Sequence, residues 1–154
     1  MEKGITLSYR KIDNSAVDPE YNYPSDSGFD LYSTENIQIY PLGRELVGTG
    51  LQFEIPVGFE IQIRSKSGLA LKSGLMVLNS PGTIDRGYIG EIKVILFNAS
   101  QSLIKIEKGQ KIAQACLCPV VPGHDVELVL QNQLEGERGD NGFGSTGLYL
   151  KEQE

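Results

Sequence analysis

The residues that invite a chemical reading begin near the end of the chain. Gly142-Phe143-Gly144-Ser145-Thr146-Gly147 fits the pattern G-x-G-x-x-G. A dinucleotide-binding fold needs that pattern between a strand and a helix, and too little chain follows it here to build one. A Walker A loop is excluded as well, because no Lys precedes the Ser-Thr pair. The physical property survives both exclusions. Glycines let backbone N–H groups converge on phosphate oxygens, Ser145 and Thr146 add hydroxyl donors, and Arg138 supplies a guanidinium fork. The plain alternative is a frayed terminus. Asp85, inside Pro81-Gly82-Thr83-Ile84-Asp85-Arg86-Gly87-Tyr88-Ile89-Gly90, is a carboxylate between apolar-flanked runs; singly it reads as a turn aspartate capping a hairpin. Asp30 in Ser27-Gly28-Phe29-Asp30-Leu31 poses the same question at a strand start. Ile63 to Ala70 is a basic, hydroxyl-rich turn, and Lys111-Ile112-Ala113-Gln114 reads as an edge strand with its polar residues toward water.

These segments need elements to position them, and the pattern is that of strands. Ile5, Leu7 and Tyr9 alternate, as do Leu51, Phe53 and Ile55, then Phe59, Ile61 and Ile63 after the Pro56-Val57-Gly58 turn. Ile37 and Ile39 predict a short strand. Ile92 to Phe97 is almost continuously apolar, as in a strand buried on both faces. Ile104 to Ile106, Lys111 to Leu117 and Val126 to Leu130 complete the set. One short helix is expected at Gly68 to Ser73. The 18 glycines and 7 prolines among 154 residues add turns rather than helix. The expected fold class is all-β, a sandwich or jelly-roll-like barrel. Residues 1–134 would form the core, and 135–154 a flexible glycine-rich arm.

The formal charge of −6, from 20 acidic and 14 basic residues, disfavours stable nucleic-acid binding and adhesion to anionic membranes. A small anion held by local cations stays open. Cys116 and Cys118 form C-x-C, which alternate residues of one strand do not bridge. With a single His the chain offers neither a disulfide framework nor a zinc site. Apolar runs are too short to span a bilayer and the start of the chain has no signal-peptide core, so a cytoplasmic protein is expected.

Taken in order, the segments resemble the motifs of the trimeric dUTPase (deoxyuridine triphosphate nucleotidohydrolase) family from Ser27 to Gly147. SGFDL is similar to its A-G-x-D-L and SKSGLA to its P-R-S-G-L-A. G-x-I-D-x-x-Y-x-G is met in full by Gly82 to Gly90, KIAQ is similar to R-I-A-Q, and R-G-x-x-G-F-G-S-T-G is met in full by Arg138 to Gly147. Two positions depart. The second-motif Arg is Lys66 in the register set by SGLA, with Arg64 two residues earlier, and the fourth-motif Arg is Lys111. Lysine keeps the charge and loses the bidentate fork.

The resemblance implies a jelly-roll-like (β-clip) subunit and a homotrimer whose interfacial sites draw on three chains. It implies hydrolysis of dUTP to dUMP and pyrophosphate with Mg²⁺, which keeps uracil out of DNA and supplies dUMP for dTMP synthesis. Asp85 would orient and deprotonate the attacking water, and it could also hold the substrate's 3′-hydroxyl. Lys66, Ser67, Gly68 and Gln114 would hold the α- and β-phosphates. Asn79 and backbone groups near Thr83, Ile84 and Lys93 would pair with uracil, and Tyr88 would lie against deoxyribose. Arg138, Gly144, Ser145 and Thr146 would close over the outer phosphates, with Phe143 stacked on the base. Asp30 would reach Mg²⁺ through its waters. Two other readings share this fold: a dCTP deaminase-like enzyme, and a regulatory nucleotide-binding trimer that acts through a protein partner.

Overall fold

Wherever alternating residues meet a pairing partner, they become strand. The computed structural model describes residues 4–143 and Ser145. In chain order the strands are β1 (Ser8–Lys11), β2 (Phe29–Tyr32), β3 (Ile37–Ile39), β4 (Arg44–Gly48), β5 (Leu51–Glu54) and β6 (Phe59–Arg64). After helix α1 (Ser67–Ser73) follow β7 (Leu75–Val77), β8 (Gly82–Ile84), β9 (Lys93–Asn98), β10 (Ile104–Ile106) and β11 (Lys111–Pro119). All pairings are antiparallel. They make a four-stranded sheet β2-β11-β6-β8, a three-stranded sheet β4-β9-β7, and the pairs β1-β5 and β3-β10. This is the expected all-β, jelly-roll-like class with one short helix, and among the described residues no sheet closes into a barrel.

One face of each sheet supplies a shared core that includes Leu31, Ile39, Val47, Ile61, Leu96 and Ile112. The expectation for Ile92 to Phe97 is met on one face only. Val94, Leu96 and Asn98 are buried, whereas Ile95 and Phe97 are half-buried, because within one chain nothing fully covers the second face of β9. Asn98 is a buried polar residue that satisfies itself locally. Its amide donates to the carbonyls of Ile39 at 2.9 Å and Ser102 at 2.8 Å, and its oxygen accepts from Ser100. Helix α1 begins one residue before the expected start and ends at Gly74.

The chain divides into two compact units, Met1–Pro122 and Gly123–Glu154. The second opens with a 3-10 turn, Gly123–Asp125. The strand expected at Val126 to Leu130 is not formed, and Leu128 and Leu130 are each 94% exposed. Alternation supplies a strand's two faces but not the backbone partner its N–H and C=O groups require.

Candidate active site

The first group of site residues gathers around Asp30, in the middle of β2 and 4% exposed. Its carboxylate takes Lys66 on one oxygen. On the other it takes Lys111 at 2.6 Å and the Asn22 amide at 3.1 Å. Burial is the strongest single influence on Asp30 and pushes its pKa up. Lys111, Lys66 and Asn22 together outweigh it and hold the carboxyl below its ordinary value. Lys111 is raised in turn, chiefly by its hydrogen bond to Asp30. Two ammonium groups against one carboxylate leave the cluster net positive, as an anion site requires.

Local structure explains how these side chains come to one face. β11 lies between β2 and β6 rather than at an edge, so the edge-strand expectation for Lys111 to Gln114 gives way. Lys111 sits opposite Tyr32 and Gln114 opposite Asp30, with a bulge between Lys111 and Ala113. Residues three apart on a regular strand face opposite ways; the extra residue turns Lys111 and Gln114 to the same side. Ile112 and Ala113 meanwhile stay in the core. The Gln114 amide donates to the Ser65 carbonyl at 2.9 Å, which pins the turn carrying Lys66, Ser67 and Gly68. Arg64 leaves this group: its guanidinium donates to Gln62 at 2.7 Å and lies 3.5 Å from the Cys118 sulfur. Lys66, not Arg64, therefore faces Asp30.

A second group surrounds a cavity of about 320 Å³ lined by Asn79, Thr83, Ile84, Asp85, Tyr88 and Lys93, together with Leu46, Glu91 and Ile95. Asp85 stands just past β8 and starts a tight turn whose Tyr88 N–H donates to its carbonyl at 3.1 Å. Gly87, with φ +100°, supplies the left-handed conformation which that turn demands. Tyr88 folds back so closely over Gly90 that a Cβ there would stand 2.5 Å from the phenol oxygen. None of the first group lines this cavity. Within one chain the two groups of motif residues are therefore separate.

The third set lies in the second unit. The Arg138 Nε–H donates to the Asn141 carbonyl at 2.7 Å, and the Ser145 N–H donates to Gly142 at 3.1 Å. Phe143 is fully exposed, with a left-handed φ of +49°. Gly144 and Thr146 lie outside the described residues.

The dUTPase family model matches residues 14–147, nearly the whole chain. This chain belongs to the dUTPase family. A deoxyuridine 5'-triphosphate nucleotidohydrolase of Nautilia profundicola is 49% identical over 143 residues, which are 93% of this chain and 99% of that one. The enzyme of the same name from Helicobacter hepaticus is 46% identical, across 98% of this chain and 94% of its own. Among solved structures, the dUTPase of Staphylococcus bacteriophage 80alpha, determined with dUpNHpp, superposes with a TM-score of 0.84 at 27% identity. It covers 93% of this chain and 99% of that one.

Against this dUTPase fold, sequence reasoning missed Asn22, Leu46, Glu91 and Ile95. Asn22 sits in a polar, proline-marked loop with no pattern to single it out. Leu46 and Ile95 come together only because β4 and β9 pair them directly. Glu91 immediately follows the third motif, and its adjacency was the available signal.

Proposed function

We infer that this chain is a dUTP diphosphatase: it hydrolyses dUTP to dUMP and pyrophosphate, as its family and the names of its relatives support. The observation that carries the reading is the single cavity uniting Asn79, Thr83, Ile84, Asp85, Tyr88 and Lys93. Uracil is read there by the Asn79 amide and by backbone groups near Thr83, Ile84 and Lys93. Cytosine presents the reverse donor at position 4 and leaves those partners unpaired, which can cost about 10⁴-fold or more. The Tyr88 ring takes deoxyribose and leaves no room for a 2′-hydroxyl. Asp85 orients a water toward the α-phosphorus and accepts its proton.

Lys66, Ser67, the Gly68 backbone and Gln114 hold the α- and β-phosphates, supported by the net positive charge around Asp30. Arg138, Gly144, Ser145 and Thr146 close over the outer phosphates and Phe143 covers the base. The Asp30 group and the Asp85 cavity are separate within one chain, which supports an assembly that joins them across an interface, in this reading the homotrimer. The exposed, strand-patterned segment at Val126 to Leu130 fits a neighbour as its missing partner.

Among the described residues no three His, Cys, Asp or Glu side chains converge as a metal cage. The proposed Mg²⁺ would be carried mainly by the triphosphate and its own waters, with Asp30, a carboxylate paired to Lys66 and Lys111, accepting from one of those waters. Bound in that way, the ion neutralises charge on the phosphate oxygens. A cytoplasmic setting suits the free thiols Cys116 and Cys118. Among the described residues no helix is long and apolar enough to cross a membrane.

Pyrophosphate release measured with dUTP, dCTP and UTP tests the reading. Strong preference for dUTP is expected; ammonia release from dCTP would replace it with the deaminase, and inactivity toward all three with a binding protein.

A further inference from the structure

We infer that Glu91 is a positioning residue for the nucleoside cavity, fixed in a socket made by Gly48-Thr49-Gly50 and fixing in turn the wall that rejects a 2′-hydroxyl. This rests on the reading of that cavity as the dUTP nucleoside site. Three contacts meet at Glu91. Its Oε1 accepts the Gly50 N–H at 3.0 Å, its Oε2 lies 3.5 Å from Lys93 Nζ, and its backbone carbonyl accepts the Tyr88 hydroxyl at 3.0 Å.

The socket is built for this carboxylate. A Cβ at position 48 would stand 2.7 Å from Glu91 Oε1, so the carboxylate, the free end of a flexible side chain, would have to move aside. Gly50 has a φ of +68°, where other residues are strained. Between them, Thr49 is buried and donates its hydroxyl to the Ile92 carbonyl at 2.7 Å, while the Ile92 N–H donates to Leu51 at 2.8 Å. The corner between β4 and β5 therefore grips Glu91 and Ile92 through side chain and backbone together.

Two consequences reach the cavity. Tyr88 is tied at its hydroxyl to residue 91, so a shift of residue 91 carries the phenol ring with it. Lys93 also lines the cavity, and the Glu91 carboxylate 3.5 Å from its Nζ supplies the counter-charge. Glu91 needs no contact with the reacting phosphorus, so its effect falls on binding and on sugar selection rather than on the chemical step.

The test compares kcat and KM for dUTP and UTP in the wild type, Glu91→Ala, Glu91→Gln and Gly48→Ala, with thermal melts to choose a temperature at which every variant is folded. Glu91→Gln keeps an oxygen for the Gly50 N–H and fills the same socket. Gly48→Ala displaces the carboxylate without removing it. Glu91→Ala and Gly48→Ala are each expected to raise KM for dUTP about tenfold and to narrow the dUTP-over-UTP preference by about as much, with kcat changed less. Glu91→Gln is expected to recover most of the dUTP-over-UTP preference, which follows the Gly50 contact, and only part of KM, because the amide leaves Lys93 without its counter-charge. If Glu91→Ala does not fold, Gly48→Ala decides. A wild type active on dUTP, with KM and preference within about twofold of its own values in the folded variants, overturns the role of Glu91 alone. A wild type that does not turn over dUTP overturns the hydrolase reading beneath it.

Discussion

Asp85 and Asp30 are both carboxylates embedded in family motifs, and their surroundings give them different work. Asp85 is exposed and lines the cavity. On the proposed mechanism Asp85→Asn removes the proton acceptor while keeping the shape, so turnover of dUTP should fall about 10²–10⁴-fold with binding retained. Single-turnover kinetics beside a binding isotherm checks this, and turnover near that of the wild type would take Asp85 out of the mechanism. Asp30 is buried and ion-paired, and its folded pKa is lowered. Its contribution to stability is therefore present above the unfolded carboxylate pKa of about 3.9 and is lost as pH falls through the lower folded value. Asp30→Asn should cost about 1–2 kcal/mol at pH 7, a figure reduced by the partial exposure of both lysines. The difference in Tm from the wild type should shrink below about pH 4. A gap in Tm that stays constant from pH 7 to about pH 3 would mean that the ion pairs contribute nothing.

At the scale of elements, β11 and the segment after it behave oppositely. β11 has partners on both sides, and its bulge turns a polar-apolar-apolar-polar run into two polar residues on one face and core on the other. Val126 to Leu130 has the alternation of a strand and no strand structure. If a neighbouring subunit completes it, Leu128 and Leu130 lose in the assembly the exposure they have in the single chain. Burying a leucine is worth about 1.5–3 kcal/mol. If the chain forms the proposed homotrimer, replacing both with Asp should shift sedimentation from trimer to monomer, while the β-sheet signal in circular dichroism persists. A variant that stays trimeric at micromolar concentration would place the interface elsewhere.

For the whole molecule, the question is how many chains make one site. Removal of residues 136–154 should leave the melting temperature of the core almost unchanged and lower dUTP hydrolysis by orders of magnitude, because Arg138, Phe143 and Ser145 are lost together. Unfolding on truncation would make the arm structural. Mixing this truncated chain with the Asp85→Asn chain by co-refolding gives the sharper result. Each alone should be nearly inactive. Mixed trimers should regain activity in proportion to interfaces that carry an intact Asp85 beside an intact arm. Trimers verified as mixed that stay inactive would mean that Asp85 and the arm serve one site from a single chain.

Local chemistry was legible in the residues alone. Alternation marked most strands because a pleated ribbon with one buried face leaves a period-two trace in the residues themselves. The short helix and the ordered motifs were readable for the same kind of reason: residue type and spacing are sufficient. Tertiary structure decided what depends on pairing. It chose Lys66 over Arg64 as the partner of Asp30, since register sets which side of β6 and its following turn each cation leaves from. It moved Lys111 to Gln114 from an edge to the middle of a sheet and supplied the bulge that aligns them. It brought Leu46, Glu91 and Ile95 into the cavity through the β4–β9 pairing and the Gly48–Gly50 corner, contacts between residues more than forty positions apart. It left Val126 to Leu130 without a strand, because alternation describes a side chain's preference for a face, and a strand exists only where another backbone answers it.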